Sequence, residues 1–251
     1  MKHLPFTEKM KLADIIHLNY LLIPIIGRFG IELGFGNKTV QEICVEKEIE
    51  PSFFLEILNL YHNKDYFTEE QFESYPLGLI IQYLKNTHIY YRHTKIPELQ
   101  EMVEQFFHSS SDENKSNNKL IANFFESYKQ ELIRHLNHEE NLLFPYTIEL
   151  ENALNDRLFS DQLIEKIKSN HTDQNHDDHN HLEEKLYDLK NLIIKFLPPV
   201  KQKGIMEKLL IELFRLENDL NDHSRIEDKV LIPKVIQLEQ KILELSDQPS
   251  I

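Results

Sequence analysis

The sequence predicts an all-α protein: an antiparallel four-helix bundle preceded by a small helical N-terminal domain. Three observations carry this. Glycine is scarce, with six residues in 251, and four of the six fall between Gly27 and Gly36, so the rest of the chain is nearly free of helix breakers. After Pro76 the apolar residues recur in steps of three and four over long stretches, the period of a helix with one buried face. Prolines are thinly spread and read mainly as segment ends.

The N-terminal domain spans residues 1–72. A helix is expected from Lys11 to Phe29, then a glycine-rich turn through Gly30, Gly34 and Gly36. Thr39 can cap the next helix, with Glu42 three residues on as its capping-box partner. Pro51 to Tyr61 reads as a further short helix with proline at its first position. The stretch from Leu12 to Leu33 is fairly apolar, but His17, Asn19, Pro24 and Arg28 interrupt it. It reads as helices of a soluble domain and not as a targeting or membrane segment, which makes the cytoplasm the default location.

The bundle spans residues 76–247, with helices expected near 76–108, 118–147, 160–196 and 204–246. The linker Ser109 to Asn118 is polar, Pro198-Pro199 closes the third helix, and Gly204 precedes the fourth. Short connections favour an up-down-up-down arrangement.

The formal net charge of −14 repels phosphate backbones, so nucleic acid is excluded as a partner. A single cysteine, Cys44, allows no intrachain disulfide and favours a reducing compartment.

Two stretches carry the chemistry. His135 to Pro145 and His223 to Pro233 both follow the pattern H-x3-E-x3-L-x-P, 88 residues apart. A histidine and a glutamate four residues apart share one helix face and can reach one metal centre. That face is the inner one. The stripe of the second helix runs Ile121, Phe125, Tyr128, Leu132, His135, Glu139, Leu142. That of the fourth runs Leu209, Leu213, Leu216, Leu220, His223, Glu227, Val230. Glutamates at seam positions are costly unless paired, and two at matching places call for a shared cation.

The remaining helices supply one inward histidine each. In the third helix, His179 heads the stripe Leu182, Leu186, Leu189, Ile193, Phe196, whereas His171, His176 and His181 belong to a His/Asp-rich run expected to face solvent. In the first helix, His88 continues the stripe Leu77, Ile81, Leu84 and precedes Tyr91. His93 is the competitor, on a face that begins with Gln82, Lys85 and Asn86. The separation of His88 and His179 is 91 residues, so the bundle reads as two copies of one hairpin. Four imidazoles and two carboxylates could hold two ions, each with two histidines and both glutamates as bridges, leaving positions open for small molecules. Imidazole and carboxylate without thiolate suit iron or manganese, with zinc also compatible.

These motifs resemble the hemerythrin-like superfamily, and most closely the di-iron proteins for repair of iron centres, the iron–sulfur cluster repair family. The resemblance covers the whole chain and implies a four-helix bundle with an oxo-bridged pair of iron ions on His88, His135, Glu139, His179, His223 and Glu227. It implies reaction with nitric oxide, peroxide or oxygen, or supply of iron to damaged iron–sulfur proteins, under nitrosative or oxidative stress. The diatomic ligand or oxidant would bind at open positions and an external electron donor would support turnover. The alternative is a protein that binds oxygen or nitric oxide reversibly, without turnover. In that family the glycine turn carries an adjacent cysteine pair. Here Gly34 and Phe35 occupy those places, which leaves folding or homodimer formation as roles for the N-terminal domain. Oxygen carriers of the superfamily have a further histidine where Glu183 stands here.

Overall fold

The computed structural model describes residues 4–66, 72, 74–108, 115–169, 175–196 and 203–246. Among them the regular structure is helical, apart from one antiparallel bridge between Lys11 and Thr39. No helix among the described residues is long and apolar enough to cross a membrane.

The expected first helix is broken into α1 (Leu12–Leu18), a 3-10 turn (Tyr20–Leu22) and α2 (Ile23–Arg28). Asn19 causes the break: it leaves the helical region and its side chain accepts from the Leu21 amide. The turn that follows needs glycine, since Gly30, Gly34 and Gly36 all have positive φ, and the 101° of Gly34 is a conformation that L side chains rarely adopt. Position 34 is thus built for glycine. Thr39 and Glu42 form the expected capping box at the start of α3 (Val40–Glu46). Glu50 caps α4 (Pro51–His62) by accepting from Phe53 N at 2.6 Å.

Helix α5 begins at Leu77–Tyr90, passes through a π-helical segment, Tyr91–Lys95, and continues as Ile96–His108. The two compact units of the chain divide inside it, between Thr87 and His88, further along than the composition change near Pro76. The reason is aromatic. Tyr83 stacks on Phe29 at 5.3 Å and meets Phe53 edge-on, while Asn86 Nδ2 donates to the Arg28 carbonyl. Leu77, Ile81 and Leu84 are therefore buried within the N-terminal unit.

The second unit begins at His88. Its second helix, α6, runs Lys115–His138, a π segment Glu139–Leu143, then Phe144–Asp156. It extends well past the expected end near residue 147 and stops where Arg157 takes a left-handed conformation. The expected third helix is two: α7 (Asp161–Lys168), capped by the Ser160 hydroxyl accepting from Leu163 N, and α8 (Asn175–Asn191) with a π segment, Leu192–Phe196. Helix α9 runs Lys203–Ile226, a π segment Glu227–Leu231, then Ile232–Ser246.

The four π segments share a cause. Each ends two residues before a proline: Pro97, Pro145, Pro198 and Pro233. A proline cannot donate to the carbonyl four residues back and its ring clashes with it. The chain relieves this by widening the preceding turn, so the amides of Ile96, Phe144 and Ile232 donate to the carbonyls of Tyr91, Glu139 and Glu227, five residues back. Pro97, Pro145 and Pro233 thus lie inside helices and do not end them.

Two core layers result. One joins all four bundle helices through Val103, Phe106, Phe125, Tyr128, Leu132, Leu186, Leu189, Leu213 and Leu216, among others. The second, beyond the π segments, joins Tyr146, Leu150, Leu163, Ile167, Val235 and Ile242. Ion pairs link neighbouring helices around the first layer: Lys95–Glu212, Lys190–Glu217 and Lys185–Glu131. The Lys95 and Lys190 side chains are buried beside their glutamates.

The widened turn corrects one expectation. The stripe period places Leu142 on the inner face, but it is 59% exposed and Leu143 is buried instead. We expect Leu143→Ala to cost about 2–5 kcal/mol in denaturant unfolding and Leu142→Ala to stay within about 0.5 kcal/mol; similar losses at both sites would contradict the shifted register. In the N-terminal unit, Cys44 is fully buried and burial pushes its thiol up to about 11. A thiol reagent should therefore modify it only after unfolding, and rapid labelling of the native protein would show an open site.

Candidate metal centre

The side chains that matter enter from three described helices. His88 comes from α5, just before its π segment. His135 and Glu139 come from α6, and His223 and Glu227 from α9. Each of those pairs ends on the first residue of a π segment, so the proline that opens the turn also fixes where the glutamate sits. π turns of this kind recur at functional sites.

All five are buried. His88 Nε2 lies 3.3 Å from Glu139 Oε2 and 3.3 Å from His223 Nε2. His135 Nε2 lies 3.0 Å from Glu139 Oε1, and His223 Nε2 3.1 Å from Glu227 Oε1. Donor atoms of His88, Glu139, His223 and Glu227 all fall within 4.8 Å of one another. Aromatic rings wall the cluster: Phe144 stacks on His88 at 5.5 Å and Tyr91 meets His223 edge-on at 5.8 Å.

The donor set fits a cation. Two imidazole Nε2 atoms facing each other cannot both carry a proton, and two carboxylates add more acceptor oxygens than these rings can fill. A buried carboxylate needs compensating charge, and a metal ion supplies it to both glutamates at once. Hard oxygen and borderline nitrogen donors without sulfur suit iron, manganese or zinc.

Of the six residues chosen from sequence, the structure brings His88, His135, Glu139, His223 and Glu227 together. His179 lies on α8, but its side chain is outside the described residues, as are His171 and His176. His93 is exposed on the π segment of α5, and His181 is exposed on α8. Sequence reasoning missed three neighbours. Glu140 accepts from His88 Nδ1 at 2.9 Å, and Arg92 donates to Glu140 Oε2 at 3.3 Å and to Asn137 Oδ1 at 3.0 Å. The paired glutamates at 139 and 140 were a visible signal, but which histidine the second would meet depends on a contact across 52 residues. The third neighbour, Phe144, hid as an ordinary core residue. A small cavity of about 20 Å³, lined by His135, Leu136, Leu186, Leu220 and His223 among others, adjoins the cluster.

Burial pulls the His88 imidazole toward its neutral form. The Glu139 hydrogen bond and charge, the Glu227 charge and the Glu140 hydrogen bond outweigh it, so its pKa is raised. In the metal-free protein the stabilisation from His88 is complete below its ordinary value of about 6.5 and is lost as pH rises through the raised folded value. We expect the chelated wild-type protein to lose stability relative to His88→Gln as pH rises above the ordinary imidazole value of about 6.5, read from urea midpoints. Parallel profiles for the two proteins would show that His88 does not hold the proton.

The family model described as the hemerythrin HHE cation binding domain matches residues 80–235, more than half of the chain, with every candidate ligand inside it. No curated protein matches the chain.

Proposed function

The chain belongs to the hemerythrin HHE cation-binding family, and we propose that its buried centre holds two iron ions and acts on nitric oxide or oxidants, in the manner of iron–sulfur cluster repair proteins. The observation that carries this reading is the convergence of His88, Glu139, His223 and Glu227, with donor atoms within 4.8 Å in a fully buried site. His135 stands against the same Glu139. His179, at the matching place in the hairpin repeat, is proposed to complete the set. Glu139 and Glu227 project from successive motif repeats, which suits bridging roles for both.

Bound iron would supply a redox-active Lewis acid with positions open to a diatomic ligand. The protein's own contribution is to hold imidazoles and carboxylates rigidly and to keep bulk water out. Phe144 and Tyr91 cover the histidine rings, and the cavity beside His135 and His223 has room for a molecule about the size of water. Electrons for turnover would come from an external donor. The N-terminal unit lacks the family's cysteine pair, so it is assigned no thiol step.

Elemental analysis of protein from iron-replete cells should give roughly two irons per chain. Nitric oxide should then change the visible spectrum of the loaded protein and leave that of the chelated protein unchanged. Zinc alone, or no metal after iron reconstitution, would overturn the proposal. A spectral change that reverses fully on removing the gas, with no product formed in the presence of reductant, would favour reversible binding over turnover.

A further inference from the structure

Two consecutive glutamates grip one imidazole. Glu139 Oε2 faces His88 Nε2, and Glu140 Oε1 accepts from His88 Nδ1. The ring lies between them with Phe144 stacked on its face. Glu140 is itself held by Arg92, one turn beyond His88 on the same helix, which also reaches Asn137 one turn before Glu140 on α6. Arg92 and Glu140 are each about a quarter exposed, at 25% and 27% of the side chain, whereas His88 is completely buried. The chain Arg92–Glu140–His88 therefore runs from the bundle surface into the centre. His223 differs: its Nδ1 is buried with no hydrogen-bond partner.

We propose that Glu140, clamped by Arg92, is a positioning residue that fixes the ring orientation of His88 and strengthens its Nε2 as a metal donor, making His88 and His223 inequivalent ligands. The inference rests on the reading of this cluster as a metal centre. Its physical basis is general: a carboxylate on the far nitrogen of a ligating imidazole fixes the tautomer, so that Nε2 presents a lone pair, and raises its basicity. A ring without such a partner must be held by packing alone. Arg92 matters because an exposed glutamate has rotamer freedom to lose. Its guanidinium restrains the carboxylate against the ring from the solvent side.

The test uses the full chain and Co(II) as the probe, with affinity read by chelator competition and ligand field read from the visible spectrum. Glu140→Ala should weaken cobalt binding by about 10–100-fold and shift the visible bands. Glu140→Gln keeps an acceptor for Nδ1–H but loses the charge, so it should fall between Glu140→Ala and wild type. Arg92→Ala should move both readouts in the same direction as Glu140→Ala, by less. If wild type binds no cobalt, the metal-centre reading itself fails. If wild type binds and the Glu140 variants match it in affinity and spectrum, the centre stands and the positioning role is overturned. Should Glu140→Ala not fold, the Gln variant decides alone, since unchanged binding and bands in it would remove any role for the charge.

Discussion

Everything in the second unit is arranged around two carboxylates placed where a helical bundle should have leucines. Glu139 and Glu227 are each 1% exposed, and the free energy of burying one charge without compensation amounts to several kcal/mol. The bundle meets this by converging imidazoles on the oxygens and by surrounding the cluster with aromatic rings. Such a core is poised for a cation and is under-compensated without one, which ties folding, metal binding and chemistry to the same few atoms. The buried lysines at 95 and 190 show the opposite solution in the same protein, since each charge is neutralised inside the fold by its own glutamate.

The second constraint is the proline that follows each ligand motif. The backbone accommodates it by a wider turn whose first residue, in α6 and α9, is the buried glutamate, Glu139 or Glu227. This gives the repeated H-x3-E-x3-L-x-P pattern a mechanical meaning. The histidine and glutamate are spaced for one helix face, and the proline fixes where that face is interrupted. The exposed His93 shows the same effect on α5, where it lies within the widened turn and points away from the centre that His88 reaches.

Fold class and the inward glutamates of the two matching motifs were legible because polar residues at seam positions stand out against an otherwise regular apolar stripe. The break at Asn19 and the shift from Leu142 to Leu143 were not. The first follows from a side-chain cap that competes with helix continuation, and the second from a turn that departs from the period on which stripe reading depends. Glu140 and Arg92 were hidden for another reason: their partners lie on a different helix, so spacing along one chain segment carries no trace of them. The unit boundary inside α5 was equally silent, since it depends on Tyr83 meeting Phe29 and Phe53.

The widened turns have an effect on design freedom within the fold. In an unbroken helix the angular phase of every side chain is locked to every other, so a core that fits the lower half dictates the upper half. A π turn resets that phase. On α6 the stripe that ends at Glu139 restarts at Leu143 and continues through Tyr146 and Leu150, and α9 restarts in the same way toward Val235 and Ile242. The outer layer can therefore choose its own register, and drift in its packing need not rotate the histidines and glutamates below. On α6 and α9 a single-turn phase shifter thus stands between each histidine–glutamate pair and the outer layer.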